Sequence, residues 1–102
     1  MMNVMKLMKQ AAAAQKNMEK VQGELAEKTV EFSSGGGMVK VTASGDGAVR
    51  SITIDPEALD PEDVGMLEDM VLAAVNGALN EVRDMASTEM AKVTQGMNLP
   101  GM

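Results

Sequence analysis

The 102-residue sequence contains no cysteine, histidine, tryptophan or tyrosine, and a single phenylalanine, Phe32. Each absence removes a class of chemistry. Without cysteine there are no disulfides, no thiol catalysis and no zinc sites of the Cys type. Without histidine no side chain has an unperturbed pKa near neutrality, and the lack of tyrosine reduces the supply of proton donors further. The remaining candidates, Ser33, Ser34, Ser44, Ser51 and the acidic residues, have no base beside them in the sequence. Adjacent carboxylates such as Glu68 and Asp69 point about 100° apart on a helix, too far round to share a substrate proton. The expectation is a protein that is not an enzyme. No apolar run reaches the length of a signal peptide or a membrane span, since Lys6 and Lys9 interrupt "MMNVMKLMKQ". A cytoplasmic location with no membrane partner is expected.

A chain of this length folds as one domain, but aromatic side chains bury the largest areas, and this core must be built from Met, Val and Ala. Such a thin core is expected to be completed against a second copy of the chain. The net charge is −6, which by itself argues against a polyanionic partner. Its distribution is uneven, however. Residues 1–20 carry Lys6, Lys9, Lys16 and Lys20 against Glu19 alone, whereas Asp55 to Asp84 carry nine acids against Arg83.

Residues 2–28 contain no proline and one glycine and are rich in strong helix formers. Val4, Leu7, Ala11, Ala14, Met18, Val21 and Leu25 recur at spacings of three and four, an apolar stripe that must lie against another element. Lys6, Lys9, Lys16 and Lys20 fall within a sector of about 80° on the opposite side. At 1.5 Å per residue this helix is about 40 Å long, against a radius of gyration near 13 Å for a compact domain of this size. Part of it is therefore expected to project as an arm.

Three segments with period-two alternation follow, Thr29 to Ser34, Met38 to Ser44 and Ala48 to Asp55. Gly35-Gly36-Gly37 and Gly45-Asp46-Gly47 separate them and supply turns with positive φ, so an antiparallel meander is expected. Neither glycine cluster has the residues of a phosphate loop, a dinucleotide fingerprint or an EF-hand, and no cofactor is implied. Asp55-Pro56 and Asp60-Pro61 each match an N-cap followed by proline at the first helical position. Capping accounts for Asp55, Glu57, Asp60, Glu62 and Asp63 by position better than a metal site does. A second long helix is expected from Asp60 to about Gln95, with Leu67, Met70, Val71, Ala74, Ala78, Val82 and Met85 on one face. Ala74, Gly77 and Ala78 together would admit the close approach of another backbone. The helix is expected to end at Gly96, giving a single domain over 1–95 and a flexible C-terminal tail over 96–102.

The first helix, "MKLMKQAAAAQKNMEKVQGELAEKTVEF", followed by "GGGMVKVTASGDGAVRSITIDPEALDPEDVGMLEDMVLAAVNGAL", resembles the YbaB/EbfC family of bacterial nucleoid-associated proteins. The ordered series of glycine turn, V-K-V-T, G-x-G, I-x-I-D-P, L-D-P-E-D and L-E-D-x-V-L-A-A-x-N-x-A carries the resemblance over nearly the whole chain. It implies an α+β fold: a long N-terminal helix, a three-stranded antiparallel meander and a long C-terminal helix, assembled as a homodimer with projecting helices. It also implies binding of double-stranded DNA in the nucleoid, with effects on nucleoid organisation and gene expression. A recombination or repair protein is a further partner class that the resemblance leaves open. Carried onto this chain, the phosphate-contacting residues are Lys6, Lys9, Lys16 and Lys20 on the first helix and Arg83 and Lys92 on the last. Phe32, Val39, Val41, Ile52 and Ile54 fall to the sheet core and dimer region.

Two features depart from the family pattern: "NEVRDMASTEM" is nearly neutral, and Gly23, Gly65 and Gly77 stand where better helix formers are expected. The rival reading is a dimeric helical clamp that grips a protein partner through soft, adaptable methionines, its lysines being an ordinary solvated face. Without aromatic residues interleaved among the lysines, single-strand binding by base stacking is not expected. Contacts to the DNA backbone with weak sequence preference are.

Overall fold

The structure, a computed structural model, describes residues 3–97. Helix α1, Val4–Glu27, is capped by Asn3, whose side chain accepts from the Lys6 backbone N–H at 3.3 Å. It stops at Lys28, which turns extended and donates its N–H to the Leu25 carbonyl. Strands β1 (Thr29–Ser34), β2 (Val39–Ser44) and β3 (Val49–Ile54) form an antiparallel sheet in the order β1-β2-β3. Gly35, Gly36 and Gly37 make the first turn with φ of 61°, 67° and 92°, a left-handed run that L side chains resist. The expected meander is therefore present: β1 has the expected bounds, the central β2 is one residue shorter at its start, and β3 is one residue shorter at each end.

Pro56–Ala58 forms a short 3-10 turn in which Asp55 accepts from the Glu57 N–H at 2.9 Å, as its capping position implies. The following helix begins later than expected. Asp60 accepts from the Glu62 N–H within a separate turn, and Asp63 is the residue that accepts from the first turn of helix α2, at Met66, 3.2 Å away. Helix α2 runs Val64–Met97, through Gly96 rather than ending there. The rest of the tail expected over 96–102 lies outside the described residues.

Val39, Val41 and Ala43 of β2 are fully buried against Ala74, Ala78 and Val82 of α2, with Val30, Phe32, Leu67, Met70, Val71, Val75 and Leu79 around them. The small residues of α2 let the helix sit close to the sheet. Gly77 admits a side chain rather than a backbone: the Phe32 ring occupies the space a Cβ would need. Ser34 Oγ on the same strand donates to the Met70 carbonyl at 2.6 Å, tying β1 to α2 at a second point.

Helix α2 lies over β1 and β2 and leaves β3 largely uncovered. The register pairs Val39 with Ile54 and Val41 with Ile52, so these isoleucines share the core face of the sheet. They nevertheless remain 36% and 45% exposed, as does every residue of β3 in lesser or greater degree. Of the five residues assigned to the sheet core and dimer region, Val39 and Val41 are inside, Phe32 is half-buried, and Ile52 and Ile54 extend the apolar face beyond the helix that covers it.

The radius of gyration is 20.1 Å and the molecule measures 73 × 22 × 16 Å, far from the roughly 13 Å radius of a compact chain of this size. The expected arm is present.

Candidate nucleic-acid interface

The root of the arm is held by a close contact and a charge cluster. The Gly45 N–H donates to the Lys28 carbonyl at 2.9 Å, and a Cβ at Gly45 would overlap the Leu25 carbonyl. This glycine has ordinary negative φ, unlike Gly47 at 87°, and is needed for close approach rather than for the turn itself. The turn is braced from inside by Arg50, whose Nε donates to Ser44 Oγ at 2.9 Å and whose Nη2 lies 3.1 Å from Asp46 Oδ2. Ser44 also donates to Asp46, and this bond together with the Arg50 guanidinium holds the Asp46 carboxyl below its usual range. On the other side of the root, Glu89 Oε1 receives both Lys28 Nζ and Lys92 Nζ at 3.4 Å. The Lys92 and then the Lys28 bonds hold the Glu89 carboxyl below the usual carboxylate range.

Leu25 and Lys28 thus lie level with Ala86 to Met90 of α2. From there α1 continues for about 32 Å to Val4, whereas α2 continues for about 17 Å to Met97, at 1.5 Å per residue. Among the described residues, the last 15 Å or so of the arm is α1 alone. The apolar stripe records this: Leu25 is 5% exposed, Val21 and Ala14 are half-buried, and Val4 is 62% exposed.

Lys6, Lys9, Lys16 and Lys20 are all exposed, and none is in an ion pair among the described residues. They lie on one side of one continuous helix and span about 21 Å of its axis. The first acid of the chain is Glu19, so no carboxylate on α1 competes for the outer three. The two sequence candidates on α2 are placed differently. Arg83 is exposed on the part of the helix that overlies the sheet and donates to Asn80 Oδ1 at 3.0 Å. Lys92 is tied to Glu89, and nine residues of helix put it about 180° round from Arg83. The structure therefore gathers four of the six candidates on one stripe and separates the other two from it and from each other. Lys28, which the sequence reading passed over, joins Lys92 at the root; only the tertiary contact with Glu89 reveals it.

The carboxylates of the turns before α2 lie at the end of the sheet away from the arm, where Asp55 N donates to the Met38 carbonyl. Among the described residues no three acids converge as metal ligands, and no helix is long and apolar enough to cross a membrane. Charge is thus segregated along the long axis, positive on the arm and negative at the far end.

The sequence profile of the YbaB/EbfC DNA-binding family matches residues 1–97. A nucleoid-associated protein of Pelotomaculum thermopropionicum is 52% identical over 100 residues, covering 98% of this chain and 95% of that protein. One from Alkaliphilus metalliredigens is 53% identical over 100 residues, covering 98% of this chain and 88% of its own. The crystal structure of an uncharacterized protein from Helicobacter pylori superposes with a TM-score of 0.83 at 21% identity, covering 92% of this chain and 99% of that one, and shares the fold. With a profile match over nearly its whole length and relatives identical at half their positions, the chain belongs to the YbaB/EbfC DNA-binding family.

Proposed function

We propose that the protein acts in the nucleoid as a homodimer that holds duplex DNA by its backbone phosphates through the α1 arms, and so affects nucleoid organisation and gene expression. The observation that carries the reading is the row of four lysines, in no ion pair among the described residues, along about 21 Å of projecting helix in a chain whose net charge is otherwise acidic. Two features support the dimer. Ile52 and Ile54 continue the core face past the edge of α2, and Leu72, about 140° round α2 from the Phe32 contact at Gly77, is also exposed. A second copy across β3 removes this apolar edge from water, which a lone edge strand cannot do.

The test is a duplex titration over a range of salt concentrations, with the wild type and a variant carrying Lys6→Gln, Lys9→Gln, Lys16→Gln and Lys20→Gln. Eight lysines in a dimer, at about 0.9 per phosphate contact, set an upper slope near −7 for log K against log salt. The variant is expected to lose most of this slope while remaining a folded dimer. A wild type that fails to bind duplex near physiological salt, or binds with a shallow slope, points to a protein partner instead.

A further inference from the structure

We propose that Met5 and Met8, on the bare tip of α1, contact the base edges of the DNA major groove, so that the arm both holds phosphates and presses an apolar surface into the groove. This rests on the duplex-DNA reading above.

Among the described residues of the tip, four large apolar side chains are exposed, Val4, Met5, Leu7 and Met8, with Met5 at 68% and Met8 at 65% the most open of them. Val4 and Leu7 continue the stripe that packs on α2 nearer the root. Met5 and Met8 do not belong to that stripe. Taking the stripe's centre from Leu7 and Leu25, Met8 lies about 100° and Met5 about 160° round the helix from it. A helix packed along the stripe would therefore leave both methionines in water.

Their neighbours on the surface are the lysines. Met5 precedes Lys9 by one helical turn, an angular step of about 40°, and Ala12 lies about 40° from Lys16. Docking the lysine stripe on phosphates thus brings the Met5, Met8 and Ala12 flank to the edge of the groove. Charge selects the partner: from Asn3 to Met18 the helix carries Lys6, Lys9 and Lys16 and no acid, which suits a polyanion. Shape selects the groove, because a helix of about 10–12 Å diameter matches a major groove about 12 Å wide, and among the described residues none of α2 lies beside the tip. The thioether side chain is flexible and polarizable and adapts to irregular apolar surfaces. The thymine methyl is the apolar group the major groove offers. Such contacts discriminate weakly among sequences and add affinity that salt does not screen.

The experiment compares the full-length wild type, Met5→Gln/Met8→Gln and Met5→Leu/Met8→Leu on one mixed-sequence duplex at several salt concentrations. It is repeated on the same duplex with uracil in place of thymine. The glutamine variant is expected to bind about five- to thirtyfold more weakly at every salt concentration with its slope unchanged, consistent with partial burial of two methionines. The leucine variant is expected to retain affinity, and only wild type and the leucine variant should weaken on uracil. A glutamine variant within twofold of wild type overturns the proposal while the lysine slope still stands for the phosphate contacts. A wild type indifferent to uracil also overturns it. If the glutamine substitutions change the sedimentation mass, a second copy covers the tip; if they abolish binding to phosphatidylglycerol vesicles and leave DNA binding intact, a lipid surface does; either result refutes the groove contact. Failure of the wild type to bind DNA at all removes the functional reading first.

Discussion

Replacing a helical glycine by alanine should change sign between Gly77 and Gly23. Alanine is favoured over glycine in a helix interior by up to about 1 kcal/mol. At Gly23, inside α1, a Cβ meets nothing within 4 Å, so Gly23→Ala should stabilise by about 0.5–1 kcal/mol. At Gly77 the same Cβ overlaps three atoms of the Phe32 ring. The ring lies between α2 and β1, whose spacing is also set by the Ser34 bond to Met70, so it has little room to retreat. Overpacking of this kind costs about 1–3 kcal/mol. Set against the propensity gain, the net expectation is a loss of about 1–2 kcal/mol.

With no tryptophan to report on unfolding, the assay is urea denaturation followed by helical circular dichroism, all variants at one subunit concentration because the proposed dimer would make stability concentration-dependent. For a chain of this size, with a slope of about 1–1.5 kcal/mol per molar urea, the expected midpoint shifts are about half a molar upward for Gly23→Ala and about one molar downward for Gly77→Ala. Phe32→Leu in the Gly77→Ala background should recover part of the loss, giving a coupling term of at least about 0.5 kcal/mol. A Gly77→Ala variant as stable as wild type, or an additive double mutant, would refute the placement of Phe32 on the glycine.

Three further outcomes follow from the same geometry. Ile52→Lys with Ile54→Lys should leave helical content intact and shift the sedimentation mass to that of one chain at micromolar concentration; a retained dimer would place the interface elsewhere. Gly45→Ala must move α1 away from the turn at its root and should destabilise by about 1–3 kcal/mol, with weaker DNA binding as the arm is displaced. The Glu89 carboxyl is held below its usual range in the folded protein by Lys92 and Lys28, so its contribution is present above the unfolded value of about 4.3 and disappears as pH falls through the lower folded value. Wild type should therefore lose stability below about pH 4.5 more steeply than Glu89→Gln, and parallel pH profiles would show that the two lysines do not hold this carboxylate.

Local rules made much of this protein legible in its sequence. Positive φ at Gly35 to Gly37 and the cap at Asp55 follow from backbone sterics and from orphan N–H groups, both of which act over a few residues. The alternation of Val39, Val41 and Ala43 and the lysine stripe of α1 are periodicities, and periodicity survives folding because the elements are regular. Asp60 misled because Asp60-Pro61 and Asp63 are both capping signals, and only the chain's path from the preceding turn decides which of them opens the helix.

The tertiary structure alone decided how these parts meet. The sequence makes Ile52 and Ile54 as apolar as Val39 and Val41. Their different burial arises because one helix is too narrow to cover three strands and lies over β1 and β2. In the same way Gly45 and Gly77 are indistinguishable from turn and helix-breaking glycines until Leu25 and Phe32 are brought against them. Lys92 is a free cation in one dimension and a partner of Glu89 in three. The sequence determined the elements, their faces and the charge of the arm, because these depend on neighbours along the chain. The fold decided which apolar faces stay open and which lysines stay unpaired, because these depend on residues that the chain holds far apart.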